Sequence, residues 1–336
     1  MNIIGCDFHT RFQQIAMLDT ETGEIVERRL EHENGEARNF YGGLSSPVRI
    51  GIEATGYARW FERMLLEQKH ELWIGDSAQI RAAMVRKQKT DSRDALHILE
   101  LLVSNRFPKI YVSKLEDRDV WQLLQHRCKL VRWQTSIRNQ LHALAMGEGV
   151  CRKKKLWSQS GREELQKLQL DPWASRRRDE LLAMLDRLAP SIRELDQAVE
   201  QTAKQCPNAV LLQRQAGVGP VTSLAFALLV GPVKRFCNSR QLVSYVGLNP
   251  SEHSTGGKQR LGSISKQGNA MVRWLLLQAA QTASQHDEGL RRDYRRLVSR
   301  RGRAVAKVAI ARKLAVRLYW MLRQVSEANA ANSHAG

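Results

Sequence analysis

The sequence predicts an α/β N-terminal domain followed by a mostly α-helical remainder, and three observations carry that reading. Strand and helix signals alternate over about the first 110 residues. From Val120 onward, long helical stretches run with few breaks. The charge changes at the same place: residues 1–110 hold 15 Lys and Arg against 16 Asp and Glu, whereas residues 111–336 hold 38 against 18. The formal net charge of +19 therefore resides in the second part, and such an excess points to a polyanionic partner, nucleic acid before any other.

The N-terminal elements follow in order. Residues 2–7 and 13–19 are rich in apolar residues and read as strands, Thr22-Gly23 as a hairpin turn, and residues 24–30 as a third strand. A helix over residues 36–44 precedes a buried fourth strand, Val48-Arg49-Ile50-Gly51-Ile52, which leads straight into Glu53-Ala54-Thr55-Gly56. A helix over 57–68, a strand over 71–74 and a helix over 92–105 complete the region. Three opening strands followed by alternating helix and strand suit an RNase H-like sheet, in which the first and fourth strands are neighbours.

In the remainder, Leu123, Leu130, Ile137 and Leu144 recur every seventh residue. Leu181, Leu188 and Leu195, with Leu185, Ile192 and Val199, repeat the pattern in a second segment. A helical hairpin or coiled-coil arm satisfies this, either pairing between chains or as an ordinary intramolecular helix pair; Arg127 and Gln134 interrupt the companion heptad position. The connecting loop contains Arg152-Lys153-Lys154-Lys155 and Asp171-Pro172. Next, Ala216-Gly217-Val218-Gly219-Pro220 between two helical segments reads as a helix-hairpin-helix, in which Gly217 and Gly219 let backbone N–H groups approach a phosphate. A short helix over 238–246 leads to a Ser-, Gly-, Lys- and Arg-rich loop over 249–268, and two basic helices span 269–285 and 303–325. The expected domains are 1–112, 113–206 and 207–326, with 327–336 a frayed tail.

Four carboxylates stand out by placement. Asp7 ends the first strand and Glu53 the fourth, while Asp91 and Asp94 lie three apart at a helix start and so project from one face. Singly, each has an ordinary structural role: Asp91 suits an N-cap and Asp94 a first helical turn. Brought together they repel unless cations hold them. Their hard oxygens suit Mg²⁺ or Mn²⁺ and disfavour zinc. Two such ions about 3.5–4 Å apart stabilise both the attacking and leaving oxygens of a phosphodiester displacement.

The densest positive stretch comprises Lys258, Arg260 and Lys266 with Arg291, Arg292, Arg295 and Arg296, continuing into Arg300-Arg301-Gly302-Arg303. As nucleic-acid contacts these would hold phosphates without specifying sequence. Trp133, Trp157, Trp173 and Trp274 offer surfaces for base stacking, although tryptophans at helical spacing are more often core. Cys6, Cys128, Cys151, Cys206 and Cys237 are scattered without zinc-ligand spacing and read as reduced thiols. There is no basic, apolar leader and no run of membrane-spanning length, so a cytoplasmic location and no membrane partner are expected.

At these residues the sequence resembles the DEDD transposases of bacterial insertion sequences, a group of bridge-RNA-guided serine recombinases. The resemblance comprises Gly5-Cys6-Asp7, Ile52-Glu53-Ala54-Thr55-Gly56, Lys89-Thr90-Asp91-Ser92-Arg93-Asp94-Ala95 and Gly217-Val218-Gly219. It continues through Val246-Gly247-Leu248-Asn249-Pro250 and Ser254-Thr255-Gly256-Gly257 to Ile264-Ser265-Lys266-Gln267-Gly268-Asn269. It implies a RuvC-like, RNase H-like N-terminal domain carrying Asp7, Glu53, Asp91 and Asp94, a coiled-coil arm, and an α-helical transposase domain with a nucleophilic serine. It further implies dimers assembling to tetramers on DNA paired with a structured guide non-coding RNA, and an active site composed from two subunits. Counted back from Ser265-Lys266 the nucleophile slot holds Ser254, and counted forward from Pro250 it holds Thr255. Ser254 is preferred because a primary hydroxyl is less hindered, with Thr255 the alternative nucleophile.

Two other functions fit parts of the sequence. A structure-specific nuclease would use the same carboxylates with water as nucleophile. A non-enzymatic nucleic-acid packaging protein would account for the charge but leave the acidic residues without a purpose.

Overall fold

In the computed structural model, which describes residues 2–44, 47–84, 90–151, 155–252, 254–255 and 260–334, the opening apolar run is strand β1 (Asn2–Phe8). It is followed by β2 (Phe12–Asp19), β3 (Ile25–Glu31), helix α1 (Glu36–Gly42), β4 (Arg49–Glu53) and helix α2 (Arg59–Glu67). Strand β5 (Glu71–Gly75), helix α3 (Ser77–Ala83) and helix α4 (Asp91–Val103) complete the first unit, Met1–Val112. The five strands form one mixed sheet in the order β3-β2-β1-β4-β5. β1 pairs antiparallel with β2 and parallel with β4, so the first and fourth strands are neighbours, as the sequence led us to expect.

The two faces of the sheet are covered differently. Ile4, Cys6 and Phe8 alternate onto one face with Ile50 and Ile52, where Tyr41 of α1 and Phe61, Met64 and Leu65 of α2 pack against them. The opposite face presents Gly5 and Gly51, and there α4 lies on the strands. A Cβ at Gly5 would stand 2.3 Å from the Ala95 carbonyl oxygen and the Leu99 nitrogen, and one at Gly51 would stand 2.7 Å from the Leu102 side chain. The two glycines therefore set how closely α4 approaches β1 and β4, and the N-terminus of α4 carries Asp91 and Asp94.

The second unit, Ser113–Gly336, is mostly helical. Its helices are α5 (Leu115–Gly147), α6 (Gln159–Lys167), α7 (Pro172–Gln205), α8 (Pro207–Leu212), α9 (Pro220–Val230) and α10 (Ser239–Val246). A two-stranded sheet, β6 (Pro250–Glu252) and β7 (Leu261–Ile264), precedes α11 (Ala270–His286) and α12 (Glu288–His334). The long helices α5 and α7 pack on one another within the chain through Ile137 and Leu141 against Leu181, Leu182 and Leu185. Of the heptad positions in α7, Leu185, Ile192 and Val199 are buried, while Leu188 and Leu195 are half-buried. The main core of this unit joins α9, entirely apolar over Leu224–Ala227, to α11 and to the second half of α12.

Several elements depart from expectation, among them α6, which lies in the stretch read from sequence as a connecting loop. Residues 77–83, unassigned from sequence, form α3, whose N-cap Asp76 accepts a hydrogen bond from the Gln79 N–H at 2.8 Å. The loop over 249–268 contains the hairpin β6–β7, whose short polar strands lack an apolar alternation. A helix unassigned from sequence runs from Glu288 to Gly302, whose non-helical φ of 80° and ψ of 166° separate it from the basic helix expected from 303. Residues 327–334, expected as a frayed tail, continue α12. No helix among the described residues is long and apolar enough to cross a membrane.

Candidate active site

The acidic residues are positioned by the ends of three elements. β1 and β4 pair in register up to Cys6 opposite Ile52, so Asp7 and Glu53 are the next residues on adjacent strands and share the face on which α4 lies. Thr90, not Asp91, is the N-cap of α4, its hydroxyl accepting from the Arg93 N–H. Asp91 is thereby relieved of the capping role that sequence alone allowed it and opens the helix as its first residue. Asp94 is buried one turn on.

The structure brings Asp7 and Asp91 together around a residue the sequence reading passed over. His9 Nε2 lies 3.1 Å from Asp7 Oδ2 and 3.6 Å from Asp91 Oδ1. Asp7, His9 and Asp91 each offer one ligand atom, all within 4.8 Å of one another. Burial pushes the Asp7 carboxyl above its ordinary value; His9 pulls it back, and the charges of Asp94 and Asp91 push it up again. Glu53, on the adjacent strand, is not among the ligand atoms gathered here; it is half-exposed, with Arg81 of α3 at 3.8 Å from its carboxylate. Two carboxylates and an imidazole gather here, with Asp94 near enough for its charge to act on Asp7, and a cation bound at this point would relieve the repulsion.

The second candidate centre is the β6–β7 hairpin. The Ser251 hydroxyl donates to the Ser263 carbonyl at 2.9 Å, and the Ser265 hydroxyl to Asn249 Oδ1 at 2.9 Å. Arg273 of α11 closes the base of the hairpin by donating to the carbonyls of Val246 and Gln267. Beyond β6, the exposed Ser254 hydroxyl donates to Glu252 Oε1 at 2.6 Å and accepts from the Arg260 N–H at 3.1 Å. Thr255 is exposed beside it. Lys258, with His253, Gly256 and Gly257, lies outside the described residues, as do Lys89 and Arg152-Lys153-Lys154.

Comparison with known proteins decides the family. Residues 4–147 match the DEDD transposase family of the IS110 type, described as "Transposase". Residues 209–295 match the "Transposase IS116/IS110/IS902 family". The chain belongs to the DEDD transposase family of insertion sequences. It is similar to the transposase for insertion sequence element IS1111A of Coxiella burnetii, at 27% identity over 96% of this chain and 89% of that one. It is also similar to the transposase for insertion sequence element IS1328 of Yersinia enterocolitica, at 28% identity over 72% of each chain. DNA transposase activity is what membership of this family implies.

Within this member of the DEDD transposases, the other sequence-selected residues fall in distinct settings. Gly217 adopts φ 85° in the turn between α8 and α9, and a Cβ there would stand 2.5 Å from the Ala283 nitrogen of α11. Close packing against α11 thus accounts for a glycine at this position. Gly219 is the N-cap of α9, with open space where a Cβ would sit. Arg260 and Lys266 are exposed on the hairpin. Arg292, Arg295 and Arg296 are exposed on the first half of α12, Arg296 pairing with Asp293 at 3.2 Å. Arg291 is half-buried and donates to the Gln285 carbonyl. Trp133, Trp173 and Trp274 are exposed rather than core, and only Trp157 of the four is half-buried.

His9 and Glu252 are the residues that sequence reasoning missed. The spacing Asp7-Phe8-His9 was a signal for the first, since a hairpin turn after β1 folds residue 9 back beside residue 7; the His9 N–H donates to the Phe12 carbonyl at 3.0 Å in that turn. For Glu252 the signal was a carboxylate two residues before Ser254.

Proposed function

We propose that this chain cuts and rejoins DNA as the transposase of an insertion sequence, through a metal-bound site of Asp7, Glu53, Asp91 and Asp94 and a nucleophilic serine, Ser254. The observation that carries the reading is the convergence of Asp7, Asp91 and Asp94 at one strand end and one helix start, with the Asp7 carboxyl raised by burial and by its acidic neighbours. The sheet order β3-β2-β1-β4-β5 with helices on both faces supports an RNase H-like, RuvC-like fold for the first unit.

Asp7, Asp91 and Asp94, with Glu53 on the adjacent strand, would hold Mg²⁺ or Mn²⁺; the single imidazole of His9 in the donor set favours a role for it beside the cation over a zinc site. When bound, such a cation supplies Lewis-acid compensation of the charge on a scissile phosphate. Ser254 supplies the oxygen that attacks phosphorus, and Arg260 and Lys266, with Lys258, offset phosphate charge around it. The family resemblance supports guidance by a structured non-coding RNA and assembly from dimer to tetramer, the acidic site of one subunit acting with the serine of another.

The test is a covalent adduct. DNA carrying the gene with its native flanks is incubated in cells with the full chain, and protein-linked DNA is recovered under denaturing conditions and mapped by peptide mass. A phosphodiester bond on Ser254 is the expected result. An adduct on Thr255 moves the nucleophile by one residue, and strand breakage without any adduct assigns the reaction to water instead.

A further inference from the structure

We propose that the Glu252 carboxylate is the base that takes the proton of the Ser254 hydroxyl during attack. The inference rests on the serine reading above. A serine hydroxyl is a weak nucleophile at neutral pH and needs an acceptor placed on its proton. Ser254 has one: its Oγ lies 2.6 Å from Glu252 Oε1, the length of a hydroxyl donating to a carboxylate.

The remaining valences of Oγ are arranged for the same step. A hydroxyl has one proton and two lone pairs. The proton points at Glu252, and the Arg260 N–H engages one lone pair at 3.1 Å, which leaves the second lone pair for phosphorus. Glu252 is held by the hairpin itself, since it ends β6 opposite Leu261 of β7, and Arg260 directly precedes Leu261. The pairing that aligns the strands therefore also aligns base, nucleophile and backbone donor.

The Oγ–P bond forms as the Oγ–H proton passes to Glu252, the bond from phosphorus to a deoxyribose oxygen breaks, and that oxygen takes a proton from water. Glu252 returns its proton to solvent. Nothing is oxidised or reduced, and the phosphodiester count is conserved, so the reversal needs no further reagent.

The experiment uses the full chain expressed from a plasmid that retains the gene's native flanking DNA, with covalent protein–DNA adduct quantified after denaturing lysis. Glu252→Gln keeps an oxygen to receive the hydrogen bond but takes no proton. It is expected to lower adduct formation by about 10²–10⁴-fold, with thermal unfolding and binding to a plain DNA duplex unchanged. Glu252→Asp, a carboxylate on a shorter arm, is expected to retain more adduct than the glutamine variant. If Ser254→Ala abolishes the adduct while Glu252→Gln stays within about threefold of the parent, the serine reading stands and the role of Glu252 is overturned. If Ser254→Ala still forms adduct, the serine reading fails and takes this inference with it. Should the glutamine variant unfold early, a folded Glu252→Ala takes its place: adduct well below that of Glu252→Asp supports the proton transfer, and adduct within about threefold of the parent rejects it.

Discussion

Gly5 shows how a residue without a side chain sets the geometry of a charged site. Its missing Cβ lets the backbone of α4 rest on β1, and through that contact Asp91 and Asp94 reach the Asp7 end of the strand. Gly5→Ala places a carbon 2.3 Å from two backbone atoms that cannot rotate away, so α4 must lift or the strand must shift. The expected cost is about 1–3 kcal/mol in chemical unfolding, together with weaker Mn²⁺ binding measured by paramagnetic line broadening. An alanine variant with parental stability and parental Mn²⁺ affinity contradicts this placement. Asp7 and Asp91 were legible in the sequence because each sits at an element end where no core residue is required. His9 was not, because its approach to both depends on how the turn after β1 folds.

At the scale of elements, period and turn chemistry were sufficient where apolar residues alternate or repeat. The five strands and α4 fall within a residue or two of their expected bounds, since Ile4, Cys6, Ile50 and Ile52 declare a buried face in the sequence itself. Where stability comes from polar contacts the sequence was silent. The β6–β7 hairpin is held by Ser251, Ser265 and Arg273 donating to oxygen atoms far along the chain, and no hydrophobic pattern marks its short strands. The start of α12 is a comparable case: Asp287 receives the Leu290 N–H at 2.8 Å and the Arg317 guanidinium at 2.6 Å. Burial alone would raise its carboxyl, but these donors outweigh burial and hold it below its ordinary value. A depressed carboxyl contributes stability above the unfolded-state value of about 3.9, and that contribution is lost as pH falls through the lower folded-state value. Asp287→Asn is expected to cost about 1 kcal/mol at pH 7, discounted for the partly exposed arginine, and the gap from the parent should close below about pH 4. Urea unfolding at both pH values measures it, and a gap that widens in acid contradicts the assignment.

At the scale of the molecule, the uneven charge separates chemistry from affinity. The first unit carries the acidic centre in a nearly neutral segment, and the second carries the positive excess. Replacing Arg292, Arg295 and Arg296 with Gln in the full chain should weaken duplex binding and reduce the slope of log affinity against log salt by roughly 0.9 per lost phosphate contact. The same change at Arg38, Arg63 and Arg106 of the first unit should leave the slope unaltered, and equal effects from both sets contradict the division. Whether the carboxylates of the first unit hold the cation on which DNA breakage depends is measured by strand cleavage in purified complexes as Mg²⁺ is titrated against a chelator. Cleavage should require the cation, and Asp7→Asn and Asp94→Asn should abolish it while DNA affinity stays at or above that of the parent. Cleavage that persists in excess chelator, or at the parental rate in Asp7→Asn, would contradict it.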